Sequence, residues 1–143
     1  MTDALTIGWN QARVAERRTL YRRVLAFNLI LHVLIGLACL FFPHWVADTF
    51  DLAGPIPAGW TRGWGATLIL VTALYVPGWL DPLAYRAPNL IGILGRFWMG
   101  TVWLFCGFVD RGFWWFSAFD YAFFVILGLL YLRYLRTELM SRP

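Results

Sequence analysis

Two stretches decide the fold: residues 89–109, NLIGILGRFWMGTVWLFCGFV, and residues 113–132, FWWFSAFDYAFFVILGLLYL. Each matches the roughly 20 mostly apolar residues that cross a bilayer as a helix. Each also carries one charge well inside it, Arg96 and Asp120. A lone charge in hydrocarbon costs roughly 3 kcal/mol or more, so both residues mark candidate functional positions. Only Asp110, Arg111 and Gly112 separate the two stretches. So short a connection makes them antiparallel neighbours.

Working outward, residues 24–43 and 63–80 read as two further spans. Pro77 lies near the end of the second, where it would kink or stop the helix. The connecting segments are HWVADTFDLAGPIPAGWTR (44–62), with a turn at Pro55 to Pro57, and DPLAYRAP (81–88). Trp45 and Trp60 would anchor the first of these as an ordered outer loop. The reading is one all-α membrane domain over residues 1–143, a bundle of four antiparallel transmembrane helices. Residues 133–143 form a cytoplasmic tail. The basic segment 1–23 places Leu5, Ile7, Trp9, Ala12 and Val14 among charges. It reads either as an interfacial amphipathic helix or as a charged tether.

Composition agrees with this architecture. Apolar residues make up 60% of the chain and charged residues 14%, against roughly 45–50% and about 25% in soluble domains. Nine Trp, twelve Phe and six Tyr suit interfacial belts and flat apolar contacts. All the basic residues are Arg. Nine of them, Arg13, Arg17, Arg18, Arg22, Arg23, Arg86, Arg133, Arg136 and Arg142, fall on one side of the four spans, and Arg62 and Arg111 on the other. Positive charge stays inside, so both termini are expected in the cytoplasm of a bacterial inner membrane. Their place beside the spans also explains the high isoelectric point without nucleic acid as a partner. The stretch PHWVAD after the first span lacks a small-x-small cleavage pattern, so that span reads as retained and not as a signal peptide.

Helices in lipid associate through small residues that allow close approach. Gly36 and Ala38, Gly63, Gly65 and Ala66, and Gly92, Gly95 and Gly100 supply these in the first three spans. Ala118 and Ala122 flank Asp120. Asn28-Leu29-Ile30 and Asn89-Leu90-Ile91 form a faint echo between the first and third spans.

At 1.5 Å per residue, Arg96 lies about 10 Å from the inner face and Asp120 about 10 Å from the outer one. In a core of about 30 Å they differ in depth by about 10 Å, most of which an extended Arg side chain covers. His32 reaches about the depth of Arg96, with Asn28 one helical turn below it. The readings are a structural Arg96–Asp120 ion pair, a ligand or proton site built on Arg96, Asp120 and His32, or else snorkelling of the charge or a counter-charge supplied by a partner protein.

Other chemistries lack their residues. His32 and His44 are twelve residues apart on one helix, about 18 Å along its axis, so bis-His haem ligation within the chain is excluded. Cys39 and Cys106 have no CxxC spacing and read as small buried hydrophobes, and no metal site is expected. The chain has no HExxH, GxSxG, P-loop or dinucleotide fingerprint.

RGWGATLILVTALYVPGWLDPLAYRAPNLIGILGRFWMG, with Asp81-Pro82, Tyr85-Arg86 and Gly95-Arg96 in that order, resembles small bacterial four-span proteins grouped as DoxX-like. The likeness covers roughly residues 60–105 and carries over no catalytic residue. It implies a respiratory or quinone-associated accessory role, since some members are described as small subunits of quinone-linked oxidoreductases.

The leading functional expectation is therefore a non-catalytic accessory subunit. It would pack against a larger membrane complex or a second copy through Trp98, Trp103, Trp114 and Trp115, with quinone or lipid as the small-molecule partner. The alternative is a membrane enzyme or transporter-like protein that handles a hydrophobic substrate at Arg96, Asp120 and His32. The alternative requires a cavity; the accessory role does not.

Overall fold

In the computed structural model the chain is all-helical over the described residues, 2–52 and 58–141, with side chains described from Trp9 onward. Five helices follow in order: α1 (Thr2–Phe41), α2 (Pro43–Thr49), α3 (Ala58–Leu80), α4 (Arg86–Gly107) and α5 (Phe113–Ser141). Four of them, α1, α3, α4 and α5, are long and apolar enough to cross a membrane. The Pro55–Pro57 turn lies outside the described residues, as do the Leu5 and Ile7 side chains.

The distribution of side chains is the reverse of a soluble protein's. Phe27, Ile30, Leu34, Leu37 and Phe41 form an exposed apolar stripe on α1, while Asn28 and His32 on the same helix are buried. Thr72, Asn89, Arg96, Ser117 and Asp120 are buried as well. Exposed apolar residues are common on any protein; the informative feature is a polar interior beneath an apolar surface. Both features suit helices that are long and apolar enough to cross a membrane.

Helix boundaries follow local chemistry. α1 runs unbroken from the basic segment into its apolar portion and stops at Phe41, because the Pro43 ring cannot follow the helix and instead starts α2. The expected first span therefore ends two residues early. Pro77 sits inside α3, which continues past it to Leu80.

The turn after α3 is set by Asn89. The Gly78 carbonyl would accept from the residue four positions on, but that residue is Pro82 and has no N–H. Asn89 Nδ2 supplies the missing donor at 3.1 Å, reaches the Tyr85 carbonyl at 3.0 Å, and its Oδ1 accepts from the Tyr21 hydroxyl at 2.7 Å. A glycine is required at 78, since a Cβ there would stand 2.9 Å from Asn89 Oδ1. Tyr131 of α5 donates to the Pro82 carbonyl at 3.1 Å, so α1, α4 and α5 all fasten to this turn. Asp81 accepts from the Leu83 and Ala84 amides, and those two bonds, Ala84 foremost, hold its carboxyl below the usual range.

α1 and α3 cross most closely at two glycines. A Cβ on Gly36 would come within 2.9 Å of the Gly65 carbonyl, and one on Gly65 within 2.9 Å of Leu40 N. At the opposite end from Asn89, Phe50 packs against Phe116 with the rings tilted at 46° and their centroids 4.7 Å apart, and a Cβ on Gly112 would stand 2.8 Å from Leu52. Residues 50–52 thereby lie over the turn between α4 and α5. Asp51 takes a φ of 50° there, a left-handed conformation that Asp tolerates better than most residues.

Candidate functional site

The α1 face that carries Asn28 and His32 points inward because the next turns of the same helix expose only apolar residues. Arg96 of α4 and Asp120 of α5 meet that face, each only 7% exposed. Arg96 Nη1 donates to Asp120 Oδ1 in a buried ion pair. Arg96 Nη2 donates to Asn28 Oδ1 at 2.7 Å and contacts the His32 ring, with Nε2 as the nearer nitrogen. A guanidinium has donors only, so the imidazole nitrogen that faces it serves as the acceptor. Phe119 and Phe123 cover the guanidinium from α5, with ring centroids at 5.3 and 5.7 Å. The counter-charge to Arg96 thus comes from the chain itself.

The cluster is not closed off. A cavity of about 330 Å³ lies between α3 and α4, the neighbouring pair of long helices that pack least closely. Trp98 and Thr67 stand exposed at its rim, Leu68, Val71 and Met99 form its sides, and His32, Arg96 and Asp120 are buried at its back. Gly92 and Gly95 create the space, because α4 presents no side chain there toward Tyr75. The Tyr75 hydroxyl has no hydrogen-bond partner among the described residues. Asn28 Nδ2 is likewise buried without a partner.

Sequence reasoning named Arg96, Asp120, His32 and Asn28, and the structure brings these four together. It did not single out Tyr75 or Trp64, which also line the cavity. Tyr75 is the one phenol of its span, whose other hydroxyls, Thr67 and Thr72, bond back to their own helix, and that was the available signal. Of the proposed interface aromatics, Trp98, Trp114 and Trp115 are exposed at 67%, 45% and 70%. Trp103 is not: it is half-buried, stacked flat on Phe113 at 5.3 Å and edge-on to Trp64 at 5.3 Å. The short connection Asp110–Gly112 folds Phe113 back onto α4, which turns Trp103 inward.

Among the described residues no group of His, Cys, Asp and Glu could hold a metal ion, and Cys39 and Cys106 are free thiols. No known protein family, curated protein or solved structure matches the chain.

Proposed function

We propose that the protein is a multi-pass membrane protein that binds a lipophilic molecule with a carbonyl or hydroxyl head in the cleft between α3 and α4. Its four long helices would run antiparallel across a bacterial inner membrane, with both termini in the cytoplasm. One observation carries the reading: a cavity of ligand size, about 330 Å³, has a buried charged cluster at its back and apolar walls at its mouth. A carbonyl oxygen would accept from the Tyr75 hydroxyl, and a ring or polyprenyl tail would lie against Trp64, Trp98 and Met99. Arg96 is already engaged by Asp120, Asn28 and His32, so its charge is balanced and a neutral head fits better than a carboxylate. The resemblance to DoxX-like proteins favours a quinone within this class.

The test is titration of the purified protein in nonionic detergent with a short-chain benzoquinone, read by tryptophan quenching. Wild type should show saturable quenching. Gly95→Leu, which fills the cleft, should abolish saturation while the melting temperature holds. Equal quenching of the two proteins would sink the proposal.

An accessory role is compatible with such a site, because a small protein that holds a quinone can deliver it to a larger enzyme. The exposed Leu94, Trp98 and Phe105 on one flank of α4 would supply the contact surface.

A further inference from the structure

On α3, Thr61, Trp64, Leu68, Val71 and Tyr75 recur at intervals of three and four residues and so share one face. Gly92, Arg96, Met99 and Trp103 do the same on α4. The α3–α4 cleft lies along the first stripe from Tyr75 to Trp64. Past Trp64, away from the Asn89 turn, the same face of α3 borders a further cavity of about 190 Å³. Thr61, Cys39 of α1, Trp103 of α4, and Phe113 and Phe116 of α5 line this distal cavity, and no charged side chain among the described residues does. Trp64 and Trp103 stand between the two spaces, edge to face with ring centroids 5.3 Å apart. A hollow of about 30 Å³ beside that contact is lined by both indoles and by His32 and Asp120. Trp64 borders the cleft, the hollow and the distal cavity alike. At 1.5 Å per residue the run from Tyr75 to Thr61 is about 21 Å long.

We infer that the molecule held in the cleft carries a long apolar chain, and that the chain runs inside the protein, past Trp64, into the distal cavity. The inference rests on the reading of the cleft proposed above and adds the chain to what is recognised. Polar groups gather toward the Tyr75 end of the groove, with His32, Arg96 and Asp120 at its back, and aromatic walls stand at the other end. One amphipathic molecule therefore fits both ends in a single orientation. The competing route leads out at the exposed Trp98, where the chain would lie in lipid. A chain gains little from exchanging one apolar medium for another, so the distal cavity selects by close packing and by excluding what is too wide. Trp64 is the residue the chain must pass, and so the one that limits its width.

Duroquinone, and an analogue with a decyl chain in place of one methyl, test it on the purified protein in nonionic detergent, read by tryptophan quenching. Each variant is compared with wild type for the same probe, which cancels partition into detergent. Thr61→Phe, which narrows the distal cavity, should weaken binding of the decyl probe about tenfold, a loss of about 1.4 kcal/mol, and leave duroquinone binding unchanged. Unchanged duroquinone binding also shows that the variant is folded. A decyl probe with a diazirine at its chain end should, on photolysis, label residues of the distal cavity such as Phe113 and Phe116. Label at Leu94 or Trp98 instead overturns the inference, as does a Thr61→Phe variant that binds both probes as wild type does or loses both alike. Failure of the cleft reading is distinguishable, because wild type would then saturate with neither probe.

Discussion

Arg96 shows how one residue can organise the interior of a helical bundle. Its guanidinium engages α5 through Asp120 and α1 through Asn28 and His32, so a single side chain of α4 ties three helices together. The energetic consequence is asymmetric. Removing either member of a buried pair strands the other charge and costs about 3–5 kcal/mol, whereas removing both leaves only a hole. Arg96→Ala and Asp120→Ala should therefore each destabilise the protein strongly in detergent unfolding, and the double variant should recover about 0.5–3 kcal/mol relative to their sum. Strictly additive losses would show that the two charges act independently. Part of this cluster was legible from depth, since helical rise puts His32 at about the level of Arg96 and Asp120 within about 10 Å of it, whereas the rotation that turns the three helices' polar faces together was not. Nor was the cavity beside it. Its existence depends on how far α3 stands from α4, a distance that no residue count fixes, and on two glycines whose missing side chains matter only because Tyr75 faces them.

At the scale of elements, the long helices were readable because a run of apolar residues that length has few alternatives. Their ends were less so, and the reason is local: α1 stops at Phe41 on account of Pro43, while α3 continues past Pro77 to Leu80. Asn89 settles the turn after α3 by replacing a donor that Pro82 lacks, which no window of hydropathy detects. Close approach separates glycines that look alike in the sequence. Gly65 abuts α1, with Leu40 N 2.9 Å from a built Cβ, whereas a Cβ on Gly63 meets nothing within 4 Å. Gly65→Ala should consequently destabilise by about 1–3 kcal/mol through overpacking. Gly63→Ala should be neutral or stabilising by up to about 1 kcal/mol, since alanine restricts the unfolded chain. Thermal melts of the two variants in one detergent check the pair, and equal behaviour would place the helix crossing elsewhere.

For the molecule as a whole, helix lengths bear on orientation. At 1.5 Å per residue the 22 residues of α4 measure about 33 Å and the 23 of α3 about 35 Å, close to a hydrocarbon core of about 30 Å. The 40 residues of α1 and the 29 of α5 measure about 60 and 43 Å. Their excess projects at the end where Tyr21, Asn89 and Tyr131 meet, since α1 reaches that level only at Tyr21 and α5 continues beyond Tyr131 to Ser141. That projecting end also carries most of the arginines. Length and charge therefore agree in placing both overhanging ends at one end of the bundle, which in the proposed orientation is the cytoplasmic one. With Cys39 and Cys106 replaced by alanine, single cysteines at Gln11 and Met140 should react with an impermeant maleimide only when it is admitted to the cytoplasmic side. A cysteine at Asp48, in α2, should react only from outside. Labelling of position 48 from the same side as position 11 would mean that α1 does not cross, and the four-span orientation would fall with it.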